Sequence, residues 1–289
     1  MPEPRSTGLP KLDAQNDFQR ARRHAVAARL AARLRGEPDD VRMVLPYEEV
    51  IAALGFVSER RLGLEIVALD TIVGSVDRGR DFDRSFRPTS GRVRGRWEHI
   101  AAAVRRGESM PPVDLRRIGE IHFVSDGHHR VSVARALGRF DIDAYVTEVQ
   151  TRVGAEKAIT LADLPMKSLE RVFFERVPLP DNARAEIVLT DSWDYAELAG
   201  AVEAWGFRLS QDRREAVSRS ENAYQWLEEE YRPVVAMLRE ADLVGTGTEA
   251  EAYLRVSSER YRLLRTHRWD EDVIARLIEG GMRAPRGRR

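Results

Sequence analysis

A chain of 289 residues can build one large core or two domains, and its 43% hydrophobic content is ordinary for a soluble globular protein. Lysine plus arginine and aspartate plus glutamate both number 47, so a net charge of zero gives no global pull toward nucleic acid or an anionic membrane, and any such binding has to be local. The absence of cysteine excludes disulfides, thiolate zinc sites and cysteine nucleophiles; no apolar run nears the roughly 18 to 20 residues of a membrane span, and the N-terminus lacks an apolar signal core, so the expectation is a cytoplasmic protein with no membrane partner.

Residues 1–12 contain Pro, Gly and Ser and read as a mobile lead-in. Asp13 is placed to cap a helix whose apolar stripe is Phe18, Ala21, Ala25, Val26, Leu30 and Leu34, stopped by Gly36 and Pro38. Its other face carries Arg22, Arg29 and Arg33, which suit either a solvated basic face or a phosphate-backbone contact. A second helix is expected over 47–54, ending at Gly55, and then a strand over 64–70. The loop that follows is the densest arginine cluster of the chain. Arg78, Arg80, Arg84, Arg87, Arg92, Arg94 and Arg96 are interleaved there with Asp77, Asp81 and Asp83 and with Phe82, Phe86 and Trp97. A helix over 97–106 closes at Gly107, a strand over 113–115 leads to a turn at Ile118-Gly119, and a second strand covers 121–124.

The chemistry concentrates where that last strand meets the next helix. Ile121 and Phe123 alternate as a half-buried strand does, Asp126-Gly127 supplies a turn, and Val131, Ala134 and Leu137 recur at helical spacing until Gly138. Asp126, Gly127, His128, His129 and Arg130 therefore sit at a helix N-terminus, where outward-pointing amides and the positive end of the helix dipole favour a phosphate. A guanidinium there is electrostatically misplaced unless an anion or a carboxylate neutralises it, so Arg130 is a candidate ligand for phosphate. His128 and His129 can donate hydrogen bonds and titrate near neutrality; His128 is also a catalytic candidate. Asp126 reads first as the helix cap. After this helix, Ile142, Ala144 and Val146 alternate with Asp143, Tyr145 and Thr147 in another half-buried strand.

At these residues the chain resembles the ParB/sulfiredoxin-like superfamily, which includes partition proteins, sulfiredoxins and free-serine kinases. Its members share a Gly-x-x-Arg or Gly-x-His-Arg element at a strand-to-helix turn that contacts nucleotide phosphates. Asp126-Gly127-His128-His129-Arg130 is most similar to the serine-kinase form. Leu64-Glu65-Ile66-Val67-Ala68-Leu69-Asp70 resembles the opening strand of that domain, and Asp77-Arg78-Gly79-Arg80-Asp81-Phe82-Asp83 the Arg-x-x-Phe-Asp segment of partition proteins. The likeness spans about residues 61–150. It implies a bound nucleoside di- or triphosphate (ATP, ADP or CTP), with or without magnesium. It also implies phosphate contacts from Asp126, Gly127, His128, His129, Arg130, Arg78, Arg80 and Arg84. Sulfiredoxin chemistry needs a cysteine beside the turn and is excluded here. Serine kinases of this fold carry a glutamate base after the first strand; Val73-Gly74-Ser75-Val76 has none, which leaves Asp77 or Asp81 as catalytic candidates against the alternative of Asp–Arg pairing within the loop.

Beyond Gln150 the pattern changes. Short strands are expected over 171–179 and 186–189, then a helix capped by Asp191 or Ser192 and ended by Gly206. A long helix over 221–241 bears Tyr224, Leu227, Tyr231, Val235 and Leu238 on one face, with a kink at Pro233. Thr248-Glu249-Ala250-Glu251 is a capping box opening a helix to about Leu264, and a last helix covers 270–279. Trp193, Trp205, Trp226, Tyr231, Tyr253, Tyr261 and Trp269 recur at helical spacing and read as core; His267 has no metal-ligand partner pattern, and no metal site is expected. The tail 283–289 is basic and Gly/Pro-containing, and reads as disordered.

The expectation is an α+β chain in four parts. These are an N-terminal helical segment (1–60), a small mixed-sheet nucleotide domain of the ParB/sulfiredoxin-like kind (61–150), a mainly helical C-terminal domain (151–282) and the basic tail. Three functions remain open. One is a nucleotide-dependent switch acting on a protein or nucleic-acid partner, the protein partner or a homodimer being favoured over DNA. Another is phosphoryl transfer from a nucleotide to a small hydroxylated acceptor. The third is a DNA-directed partition factor or nuclease, which is less favoured. A helix-turn-helix reader is missing, and Glu221-Asn222-Ala223-Tyr224-Gln225, similar to an acidic element of partition proteins, stands about 90 residues downstream of the turn, far beyond the usual interval.

Overall fold

The computed structural model describes residues 7–38, 42–77, 81–264, 269 and 273–279. The chain forms two compact units, Met1–Ser168 and Leu169–Arg289. It is mixed α and β, with a six-stranded mixed sheet among the described residues.

The first unit opens with α1 (Pro10–Leu34). Asp13 does not cap it. It lies inside the first turn, where its carboxylate accepts from the Thr7 amide at 3.0 Å and the Thr7 hydroxyl at 2.8 Å. Only the first half of the apolar stripe is covered: Ala14, Phe18 and Ala21 are buried, whereas Val26, Leu30 and Leu34 are exposed, as are Arg22, Arg29 and Arg33. A two-residue strand β1 (Leu45–Pro46) runs into α2 (Tyr47–Leu54), which ends at Gly55 as its sequence indicates. The strand expected over 64–70 is longer: β2 covers Phe56–Ala68, begins immediately after α2, and its Ser58-Glu59-Arg60-Arg61 run is exposed. A 3-10 turn at Leu69–Thr71 leads into a fully buried strand, β3 (Ile72–Ser75), where the sequence suggested loop.

Helix α3 (Arg94–Arg105) is followed by the hairpin β4 (Val113–Ile118) and β5 (Ile121–Asp126), then α4 (His128–Ala136) and β6 (Asp141–Thr151). The sheet order is β1-β3-β5-β4-β6-β2. β1, β3 and β5 are parallel neighbours, β5 and β4 antiparallel, β4 and β6 parallel, and β6 and β2 antiparallel.

One core joins α1, α3 and α4 to the sheet through Phe18, Trp97, Val131, Ile72, Leu115 and Val124. Phe18 meets Trp97 edge to face at 5.5 Å, and the Trp97 indole donates to Ser132 Oγ at 2.8 Å, so the buried ring keeps its polar group satisfied. On the other face of β5, Phe123 packs on Tyr47 of α2 at 5.4 Å. Gly74 of β3 makes room for it: a Cβ there would stand 2.1 Å from the Phe123 ring. Between α1 and α3 the Arg105 guanidinium reaches the buried Asp17 carboxylate at 2.6 Å.

The second unit is helical among its described residues. Helix α5 (Leu164–Arg176) crosses into it and occupies most of the first expected strand. The β-branched and aromatic run Val172-Phe173-Phe174 resembles a strand, but Phe173 and Val177, buried four residues apart, lie on one helical face, with Arg171 and Glu175 paired at i,i+4 on the surface. The short α6 (Asp181–Arg184) precedes an irregular stretch through 187–189, in place of the second expected strand, with Ile187 and Leu189 buried.

Helix α7 (Ser192–Arg213) is capped by Asp191, whose carboxylate accepts from the Trp193 amide at 2.9 Å. It runs through Gly206, which is a packing glycine in mid-helix: a Cβ there would fall 2.2 Å from the Asn222 side chain of α8 (Arg219–Trp226). After α8 comes a π-turn, Leu227–Tyr231, then α9 (Arg232–Glu240). Pro233 explains the widened turn, since its ring crowds the carbonyl four residues earlier and it has no amide to offer it. Helix α10 (Glu249–Leu264) starts with the expected capping box: Glu251 N donates to Thr248 Oγ1 at 3.2 Å and Thr248 N to Glu251 Oε2 at 2.9 Å. The last described helix is α11 (Val273–Glu279).

Trp226, Tyr231 and Tyr253 form the aromatic core of this unit, with Trp226 Nε1 donating to the Tyr253 hydroxyl at 3.0 Å and that hydroxyl to Glu230 at 3.0 Å. Trp193 and Tyr261, also expected in the core, are exposed. His267 and the tail 283–289 lie outside the described residues.

Candidate functional site

The 126–130 turn forms where β5 ends and α4 begins. Gly127 is the N-cap, with φ 102°, a left-handed conformation that glycine adopts without steric cost. A Cβ at Gly127 would also lie 2.4 Å from Val113 Cγ1, so the neighbouring strand requires glycine a second time.

Asp126 is not the side-chain cap expected of it; its exposed carboxylate instead accepts from the Arg130 guanidinium one helical turn on. Arg130 Nη1 also donates to the carbonyls of Pro111 at 2.7 Å and Pro112 at 2.6 Å. The misplaced cation of the first turn is thus held by a carboxylate and two carbonyls, all from its own unit.

His128 and His129 are both buried. His128 Nε2 shares a hydrogen bond of 2.7 Å with Ser75 Oγ, which tethers α4 to the end of β3. Phe82 stacks on His128 at 6.5 Å and meets His129 edge-on at 5.5 Å. This packing gives both imidazoles a structural duty alongside any role toward a ligand.

A cleft of about 130 Å³ opens at the turn, and Asp77, Arg96, Ile100 and Ser125 line it together with residues 126–130. The fold therefore brings Asp77, an exposed loop carboxylate, to the N-terminus of α4. Asp81 is not among the lining residues; its carboxylate accepts from Ser90 Oγ at 3.5 Å and its carbonyl from the Thr89 amide at 3.0 Å. Arg84 faces a different cleft and donates to the carbonyl of Ile159 at 2.5 Å. Arg78 and Arg80 lie outside the described residues.

Arg96 was not singled out as a site residue from sequence. It belongs to the arginine cluster, but α3 starts at Arg94 and not at residue 97, which sets Arg96 in the first turn of a helix beside the cleft. Among the described residues it forms no ion pair, so it is the cleft's uncommitted cation. A second cleft, of about 340 Å³, shares Ile100 and Arg130 with the first. Val104, Pro111 and Val133 give it apolar walls, and Asp141 and Asp143 bring carboxylates to it.

Compared with known proteins, the chain matches no family model and no curated protein. Among the described residues no three metal-ligating side chains gather into a site, and no helix is long and apolar enough to cross a membrane.

Proposed function

We propose that the chain is a nucleotide-binding protein of the ParB/sulfiredoxin-like kind, acting as a nucleotide-dependent switch. One observation carries the reading: the glycine turn at the N-terminus of α4 opens on a cleft that also gathers Arg96 and Asp77 and adjoins a larger groove. Phosphates fit the small, polar cleft, where the helix dipole, Arg96 and Arg130 all favour negative charge. The nucleoside fits the adjoining groove, whose volume is at the lower end of those that hold small ligands. There, apolar walls suit a base, and the carboxylates of Asp141 and Asp143 can accept from ribose hydroxyls or an exocyclic amine.

Arg130 is the natural switch element. An arriving phosphate competes with Asp126 for the guanidinium, which the carbonyls of Pro111 and Pro112 keep in place. Calorimetric titration with ATP, ADP, CTP and GTP tests the reading. Binding of at least one is expected, with Arg96→Ala and Arg130→Ala each weakening it roughly tenfold to a hundredfold. Folded protein that binds none of the four overturns it.

Asp77 favours a second reading, phosphoryl transfer to a small hydroxylated acceptor, because its carboxylate lines the same cleft as the phosphate-binding turn. In that case nucleotide turnover depends on an added acceptor, and Asp77→Asn lowers the rate with nucleotide affinity little changed. A switch shows slow turnover or none, and the variant leaves it unaltered.

A further inference from the structure

A cleft of about 680 Å³ in the first unit lies apart from the α4 turn and shares none of the residues that line it. Its walls are dominated by cations. Two of them are committed to carboxylates: Arg87 to Asp83 at 2.8 Å and Lys157 to Asp70 at 2.5 Å. The third carboxylate of the wall, Glu37, is bound by Arg35 at 2.6 Å. Arg42, Arg84, Arg135 and Arg139 remain, and among the described residues none of the four forms an ion pair with a carboxylate, Arg42 acting on Glu37 only through space.

These four are placed in different ways. Arg135 is anchored, donating to the carbonyls of Leu69 and Ile72 and lying 5.4 Å over the Phe86 ring. Burial pushes its pKa down to about 10, with Asp83 and Asp70 opposing at a distance, so its charge is only partly compensated. Arg84 uses one nitrogen on the carbonyls of Lys157 and Ile159, while its Nη1 is buried with no hydrogen-bond acceptor; Asp163 acts on it only through space. Arg42 also has a buried Nη1 without an acceptor. Arg139 stands exposed at the rim beside Phe140.

A buried guanidinium nitrogen with no acceptor is costly, and two arginines that each carry one line the same cleft as an anchored third cation, an arrangement that suits an acceptor from outside the chain. We propose that this cleft is a second anion site, built for a small ligand carrying two or more phosphate groups. The chemistry selects phosphate groups because several guanidiniums present forked donors to one space. A small molecule is favoured because the cations line a single cleft, whereas a nucleic-acid backbone needs them along an extended stripe. The site shares no residue with the cleft at the α4 turn, and Arg139 at its rim also borders the adjoining groove.

Inorganic tripolyphosphate, pyrophosphate and orthophosphate are suitable probes, titrated calorimetrically against the full chain and its Arg96→Ala variant. Affinity is expected to rise from orthophosphate to tripolyphosphate. Arg42→Gln and Arg84→Gln should each weaken tripolyphosphate roughly tenfold or more, the loss of one charge-assisted contact, while Arg96→Ala leaves it within about twofold. Thermal melting checks each variant; if Arg84→Gln fails to fold, Arg42→Gln carries the same test. No tripolyphosphate binding up to millimolar concentration, or binding that both cleft variants leave unchanged, overturns the proposal. Loss of binding in Arg96→Ala overturns it too, by assigning the anion to the α4 turn, as does displacement of tripolyphosphate by random duplex DNA at equal phosphate concentration.

Discussion

Ser75 Oγ and His128 Nε2 stand 2.7 Å apart with both side chains buried, joining the last residue of β3 to the first residue of α4. The pair fixes the 126–130 turn to β3 of the sheet through a contact 53 residues apart in sequence. Ser75→Ala leaves the imidazole nitrogen without this partner and is expected to cost about 1 to 3 kcal/mol of stability. Urea unfolding measures it; a midpoint equal to that of the unaltered chain would show the bond to be replaceable by water.

Asp126 and Arg130 make the opposite prediction for binding. Asp126 holds Arg130, and its carboxylate would repel a phosphate bound at this turn. Asp126→Asn removes that repulsion at an exposed position, so nucleotide affinity should rise by about 1 kcal/mol, roughly fivefold. Titration calorimetry decides, and weaker binding would place the phosphates away from this turn.

Gly206 tests the packing of the second unit. In an exposed helix, Gly→Ala gains about 1 kcal/mol from propensity alone. Here the new methyl meets Asn222, whose Nδ2 donates to Val202 O at 3.2 Å, so Gly206→Ala should lose about 1 to 3 kcal/mol. Adding Asn222→Ala should recover part of the loss, and a double-mutant cycle with no coupling would contradict the contact.

His122 gives the first unit a pH dependence. The Thr71 hydroxyl donates to Ala68 O at 2.7 Å, so His122 Nδ1, 2.9 Å from Thr71 Oγ1, is the donor to that hydroxyl oxygen, and Nε2 is buried without a hydrogen-bond partner. Burial, followed by the charge of its cross-strand neighbour Arg117, pushes the pKa down from 6.5 to about 4. The unfolded chain therefore takes up the proton first as pH falls. The contribution of neutral His122 is complete above pH 6.5 and is lost between 6.5 and 4, an effect of about 3 kcal/mol. His122→Asn should flatten that part of the stability curve between pH 7.5 and 4.5; identical curves for the two proteins would rule it out.

Local signals were legible where they were strong and self-contained. The turn at Asp126-Gly127, the end of α2 at Gly55 and the capping box at Thr248 and Glu251 all lie where the residues indicate. Features set by distant contacts were not. The first half of β2 holds the charged run Glu59-Arg60-Arg61, whose residues pair with β6, and Gly206 resembles a helix stop until Asn222 is seen against it. Val172-Phe173-Phe174 has strand-like composition, but burial at helical spacing prevails. At the candidate site, the 126–130 turn was readable from one segment, whereas Arg96 needed the true start of α3, and Asp126 needed the geometry of Arg130 to move from cap to counter-ion.

The position of β2 at the edge of the sheet has a consequence for biosynthesis. Among the described residues its only strand partner is β6, and the register joins Phe56 to Thr151 and Ala68 to Asp141. As the chain leaves the ribosome, thirteen residues of β2 wait for the last strand, which at roughly 5 to 20 residues per second amounts to several seconds or more. The charged Glu59-Arg60-Arg61 run and the register breaks after Phe56 and Arg61 suit that interval. They discourage a nascent edge from zipping onto a neighbouring chain before its own partner has been made.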